Sequence, residues 1–257
     1  MNIHEYQGKT ILKSYGVDIQ EGFLAETPGQ ALLAAQQLKE KFGSEYFVIK
    51  AQIHAGGRGK GGGVKLARSI SEAGEIAGKI IGMQLITPQT GPQGKKVRKV
   101  LVAQDVYYKG KSETQEFYVS ILLNRDISKY EIVYSPQGGT DIEDVAEKTP
   151  ELIFREVIDP LIGLQEFQAR KIAFSLGLSG MAFRNMLKFL SGVYEAFTGC
   201  DALLLEINPV LKTSDDHVLA VDAKVVLDDN ALFRHPDLAQ MRDTEEEDPF
   251  ETEAGKE

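Results

Sequence analysis

The chain has 257 residues, 42% of them apolar, no tryptophan, and a formal net charge of -9. That composition is ordinary for a globular protein and argues against disorder, and the acidic excess argues against nonspecific nucleic-acid binding, which needs a basic face. A single cysteine, Cys200, excludes an intrachain disulfide framework and a cysteine-rich metal site, which fits a reducing compartment.

In chain order, the apolar spacing of Ile3, Ile11, Leu12 and Tyr15 predicts an amphipathic helix closed by Gly16. A short strand, EGFLAE, follows. Thr27 as N-cap and Pro28 as first helical residue open a second helix that Gly43 closes. EYFVIKAQ and GGVKLARS have the composition of strands, so the stretch KAQIHAGGRGKGGGVK, Lys50 to Lys65, is predicted to be strand, loop, strand. ISEAGEIAGKIIG is helical. KVRKVLVAQDVYY, EFYVSILLNR and KYEIVYS predict a run of antiparallel strands, and Glu166–Leu176 and Gly180–Phe197 predict two helices. ALLLEINPVLK and HVLAVDAKVVL predict a hairpin turning near Ser214 to Asp216. The final MRDTEEEDPFETEAGKE, with Pro249, is acidic and predicts a solvated tail. The start, MNIHEYQGK, lacks an apolar signal core, and no apolar run is long enough to span a bilayer, so the expected location is cytoplasmic.

Two constellations carry chemistry. Glycines let backbone N–H groups converge on anionic oxygens, so the loop after Lys50 suits phosphate, with Lys50 at the end of its first strand and Arg58 and Lys60 at a mobile tip. It is not a P-loop: Gly61 follows Lys60 where Ser or Thr is required. Gly57, Gly59 and Gly62 meet the dinucleotide spacing, but strand formers follow instead of a helix. By composition alone a solvated surface loop fits as well. In the second constellation, Glu206 and Asn208 share one strand face by period two, and Asp222 on the return strand can project toward it. Hard oxygen donors of this kind suit magnesium, and by spacing alone they also fit polar residues at a strand end. His4, His54, His217 and His235 are scattered without metal-site or triad spacing, and Cys200 fits a small core residue.

Together NIHEYQGK, KAQIHAGGRGKGGGVK, LLLEINPVL, VDAK and NALFRHPDLAQMRD resemble the β-subunit family of succinyl-CoA synthetases, over about residues 1–249. The resemblance implies an α+β ATP-grasp fold, two lobes clamping a nucleotide between antiparallel sheets. The smaller lobe would span about 20–103, and the larger 1–19 plus 104–240. Residues 241–257 would be an acidic tail leading to a flavodoxin-like domain that this sequence does not include, as in a shortened form of a longer chain. By matching, Lys50, Gly57, Arg58, Gly59 and Glu116 would contact ATP or GTP. Asn208 and Asp222 would hold Mg2+, and Glu206 would lie near a phosphohistidine carried by a partner α subunit that also binds CoA. Ala103 and Gln104 occupy the region where the resemblance implies an acidic residue at the base-binding hinge, and Gln20 stands where ATP-preferring relatives often carry proline and GTP-preferring ones glutamine, so the resemblance leaves the purine open.

The implied reaction is succinate + CoA + nucleoside triphosphate ⇌ succinyl-CoA + nucleoside diphosphate + phosphate. The β-like chain of a malate-CoA or citryl-CoA ligase shares every motif quoted. A module that binds nucleotide or the partner without turnover is the reading of another class, and RNA binding through the Gly-Arg-Gly-Lys loop is disfavoured by the net acidity.

Overall fold

Local signals set the first half of the chain. In the computed structural model, which describes residues 1–247, α1 (Glu5–Ser14) buries Ile11 and Leu12 on one face, as their spacing requires. β1 (Gly22–Ala25) leads into α2 (Pro28–Phe42), where the Thr27 side chain accepts from the Gln30 N–H and Gly43 closes the helix in the left-handed region. β2 (Phe47–Ala51) and β3 (Val64–Ala67) pair antiparallel around the glycine loop. Beyond them come α3 (Ile70–Ile80), the minimal pair β4 (Gln84–Leu85) and β5 (Lys95–Lys96), and β6 (Val100–Gln104). The sheet order is β1-β6-β2-β3, and α2 and α3 cover it over a core that includes Leu38, Phe47, Ile49 and Val102.

The second half builds a separate core. β7 (Gln115–Asn124), β8 (Lys129–Ser135), α4 (Ile142–Lys148), β9 (Phe154–Ile158), α5 (Glu166–Ser175), α6 (Gly180–Gly199), β10 (Ala202–Lys212), β11 (Val218–Ala220), β12 (Lys224–Leu227) and α7 (Pro236–Ala239) follow. This sheet runs β11-β10-β7-β8-β9, with β12 on β10 as well. α1, α5 and α6 supply its apolar cover, including Leu12, Ile172, Met186, Leu190 and Phe197, with Cys200 buried among them. Among the described residues no helix is long and apolar enough to cross a membrane.

Three expectations need correction, and two elements are added. β6 does not join the run of strands that follows it; it lies between β1 and β2 in the first sheet. Beyond Gln104 the chain leaves the ladder, and the 105–114 segment docks on the turn near Ser214 through Ser112 and Tyr108. α4 and β9 add elements that the sequence reading left unassigned. The return strand of the last hairpin is broken in two opposite Pro209, which has no N–H for the ladder, and within the gap the Asp222 carboxylate accepts the Ala223 N–H at 2.9 Å.

The acidic end also differs from a solvated tail over its described part. Asp243 bonds His4 Nε2 and Lys99 Nζ, both at 2.8 Å. Glu245 pairs with Arg98 at 2.9 Å and the buried Glu246 with Lys95 at 3.2 Å. A basic strip on β5 and the turn before β6 thus fastens residues 243–246, which follow the second core, to the first. Pro249 and the rest of the acidic stretch lie outside the described residues.

Candidate functional site

One wall of the site is the glycine loop. Gly61 donates to Gly57 O, Gly62 to Gly59 O and Gly63 to Arg58 O at 2.8–3.2 Å, winding the loop into consecutive tight turns. Gly56 donates to Gln89 Oε1 at 2.7 Å. Among the described residues the N–H groups of Gly57, Arg58, Gly59 and Lys60 meet no acceptor, so the loop keeps a row of donors for an anion. The opposite wall comes from β10, the β11–β12 break and the 139–143 segment. Between them lies a cleft of about 590 Å³, lined by Gly57, Arg58, Gly59, Glu206, Asn208 and Asp222 among others.

The structure therefore brings six of the eight predicted residues to one cavity. Glu206 and Asn208 reach it together, as period two requires. Pro209 has no N–H to give the ladder, and the β10–β7 register shifts between Ile207 and Val210. Asn208 holds the far wall: its Oδ1 accepts the Gly139 N–H and its Nδ2 donates to Thr140 O, both at 2.8 Å. Glu206 Oε2 accepts from the Tyr118 hydroxyl at 3.1 Å, and burial pushes its carboxyl above the usual range.

Lys50 and Arg58 depart from their expected places. Arg58 is not at a solvent tip: it is 6% exposed and folds back to donate to Ala51 O at 2.7 Å and Asp222 Oδ2 at 2.6 Å, with a further ion pair to Glu5 Oε2 at 2.8 Å. Burial opposes its charge, and Asp222 and then Glu5 outweigh burial and raise its pKa. Lys50 does not line the cleft. Its ammonium donates to Glu5 Oε1 at 2.8 Å, Gln20 Oε1 at 3.0 Å and Val221 O at 2.7 Å, which uses all three of its N–H groups. Only Lys60 stands at the exposed tip, where it spans the cleft mouth to Asp141 and, at 3.7 Å, Asp144.

Glu116 lies behind the cleft wall. Its backbone carbonyl accepts the Gly138 N–H at 3.1 Å and its carboxylate accepts from the Tyr107 hydroxyl. Burial, reinforced by that carboxylate, raises the Tyr107 hydroxyl above its usual range. Gly139 is required beside it: φ is +71°, and a Cβ there would fall 2.0 Å from Glu116 Oε2.

Glu5 is the residue that the sequence reading missed. Burial alone would raise its carboxyl, yet Lys50, then Lys9 and Arg58, hold it well below the usual range. Lys9 sits 2.9 Å from it, and burial lowers that amine to about 8. One signal was available: Glu5 is seven residues before Leu12, hence on the core-facing stripe of α1.

Among the described residues no three His, Cys, Asp or Glu side chains gather to hold a metal. Asn208 and Asp222 nonetheless fit magnesium in kind, since that ion takes one or two hard-oxygen ligands from protein and the remainder from phosphate and water.

An anion-ready loop facing an oxygen-lined wall between two α+β halves defines a nucleotide-clamping class, and the ATP-grasp domain model matches residues 2–212. The chain belongs to the ATP-grasp family. It is 64% identical over 254 residues to a protein of Flavobacterium johnsoniae named succinate--CoA ligase [ADP-forming] subunit beta, covering 99% of this chain and 64% of that one. A Pelodictyon phaeoclathratiforme protein of the same name is 54% identical over 256 residues, covering all of this chain and again 64% of the relative. The chain thus spans 64% of the length of these curated relatives. Among solved structures, an acetyl-coenzyme A synthetase of Ca. Korarchaeum cryptofilum in complex with coenzyme A, Ca-AMPCP and HgCl+ superposes with TM-score 0.66 at 17% identity over 88% of this chain and 93% of that one. An ATP citrate lyase of Methanothrix soehngenii superposes with TM-score 0.64 at 20% identity, over 90% and 52%. Both share the fold.

Proposed function

We propose that this chain is the nucleotide-binding, phosphoryl-transfer portion of a succinate-CoA ligase β subunit, working with an α subunit that carries CoA and a phosphohistidine. The observation that carries it is Arg58, which leaves the glycine loop and meets Asp222 on the opposite wall at 2.6 Å, so the anion-binding loop and the oxygen donors serve one cavity. The names and identities of the relatives support the acid and the partner, and "ADP-forming" in those names supports adenine as the base.

In this reading the unfilled N–H groups of Gly57 to Lys60 and the guanidinium of Arg58 receive phosphate oxygens, donors fixed before charge develops. Lys50 acts from behind the wall as buried positive charge and contacts phosphate only by giving up one of its present acceptors. Glu116, with Tyr107, supports the nucleotide from the 138–139 side. Asn208 and Asp222 would hold Mg2+, which offsets phosphate charge when bound. Glu206, buried beside the Tyr118 hydroxyl at the cleft wall, would orient the partner's imidazole by hydrogen bonding to it.

Isothermal titration of ATP and GTP into this chain, with and without magnesium, tests the proposal. Magnesium-dependent binding of ATP in preference to GTP is expected, and no binding of either nucleotide would overturn it. Assayed with an α subunit and with the remaining third of the relatives' length, the protein should form succinyl-CoA in preference to malyl-CoA or citryl-CoA.

A further inference from the structure

Glu5 belongs to no wall-to-ligand contact proposed above, yet it is the point at which the site's cations meet. Its Oε1 takes Lys50 Nζ at 2.8 Å and Lys9 Nζ at 2.9 Å. Its Oε2 takes Arg58 at 2.8 Å and Gln52 Nε2 at 3.1 Å. A carboxylate offers about four lone-pair sites, so each oxygen is doubly used. The side chain is 2% exposed, and the four donors come from α1, from β2 and Gln52 just beyond it, and from the glycine loop, parts of both cores.

The arrangement divides labour between the two cations. Lys50 has spent every N–H. Arg58 has five N–H groups, of which Ala51 O and Asp222 accept two while Glu5 is its ion-pair partner, so its guanidinium is not exhausted and it lines the cleft with the glycine loop. Within the buried cluster three cations, Lys9, Lys50 and Arg58, face two carboxylates, Glu5 and Asp222; of these cations only Arg58 lines the cleft, and Glu5 keeps its guanidinium from turning with the loop.

Resting on the nucleotide reading above, we infer that Glu5 is a positioning residue for the phosphate groups: it touches no ligand and acts by locking Arg58, with Lys50 behind it, against the anion-binding loop. Outer partners that orient a ligating group are commonly worth 10- to 100-fold in affinity.

The test is a double-mutant cycle on the full 257-residue chain, titrating Mg-ATP into wild type, Glu5→Gln, Arg58→Ala and the double variant, with thermal midpoints recorded for each. Glu5→Gln is expected to weaken binding by about 10- to 100-fold, and in the Arg58→Ala background the same change should cost less than about threefold, because the group it positions has gone. An equal loss in both backgrounds, or a lowered midpoint with unchanged affinity of the folded protein, would overturn the inference and leave Glu5 a stabilising residue only. Should Glu5→Gln not fold, Glu5→Asp keeps the charge and withdraws it by one methylene; a partial loss of affinity that vanishes with Arg58→Ala is expected, and a loss independent of Arg58 overturns the idea. Arg58→Ala binding Mg-ATP as wild type does would refute the site reading itself, and wild-type protein that takes up no nucleotide removes both.

Discussion

Arg58 and Asp222 are 164 residues apart in sequence and 2.6 Å apart in space. One rides on a glycine loop of the first core, and the other stands in the gap between β11 and β12 of the second. Their ion pair spans the cleft, and Asp222 remains 36% exposed, so its carboxylate is reachable by a cation from solvent. The carboxylate that anchors the loop through Arg58 thus also faces the cleft.

Asp222→Asn keeps the shape and removes the charge. Magnesium dependence of nucleotide affinity should fall, and amide exchange in residues 56–63 should quicken as Arg58 loses its cross-cleft partner. An unchanged magnesium requirement would remove Asp222 from the metal site.

Lys50→Met should act first on stability. It strips one of three cations from a buried carboxylate, and breaking a buried ionic cluster by removing one partner costs about 3 kcal/mol or more. Urea unfolding would measure the loss. A destabilisation within experimental error would mean that Glu5 is neutralised by Lys9 and Arg58 alone.

Gly139→Ala should damage the far wall. Left-handed backbone costs a non-glycine residue roughly 1–2 kcal/mol, and the added methyl meets the Glu116 carboxylate, so the Gly139 N–H would leave Asn208. Weaker nucleotide binding together with a lower thermal midpoint is expected, and binding unaffected by the substitution would show that the 138–141 segment does not shape the site.

Acid should lower the stability of the fold through His4 and His54. Burial lowers His4 from its ordinary 6.5 to about 4, and His54 likewise. The unfolded chain therefore binds more protons than the folded one between pH 4 and 6.5, and stability rises with pH across that window. His4, whose side chain is fully buried, can contribute up to roughly 3 kcal/mol. His4→Gln should flatten the slope of unfolding free energy between pH 4 and 6.5, and an unaltered slope would assign it to other groups.

Signals that act over one or two turns of chain were legible. Thr27, Pro28 and Gly43 bound α2 because caps are local, and the glycine loop announced itself because its composition has few other uses. Glu206 and Asn208 share the cleft because side-chain alternation survives the Pro209 irregularity. What escaped was long-range charge pairing: nothing near Lys50 or Arg58 in sequence says that a carboxylate on α1 will claim both. The broken hairpin escaped because it lies opposite Pro209, which has no N–H for the ladder, and where the Asp222 side chain takes the Ala223 N–H, events smaller than any periodicity. The solvated-tail expectation failed for a related reason, since acidic residues repel one another on paper until Lys95, Arg98 and Lys99 are folded beside them.

The two apolar cores are distinct clusters, and what joins them at the cleft is largely ionic: Glu5 to Lys50 and Arg58, Arg58 to Asp222, Lys60 to Asp141. Added electrolyte weakens the exposed member of that joint, Lys60 with Asp141, while the buried Glu5, Lys50 and Arg58 are screened far less. Salt should therefore loosen the mouth of the cleft before its floor.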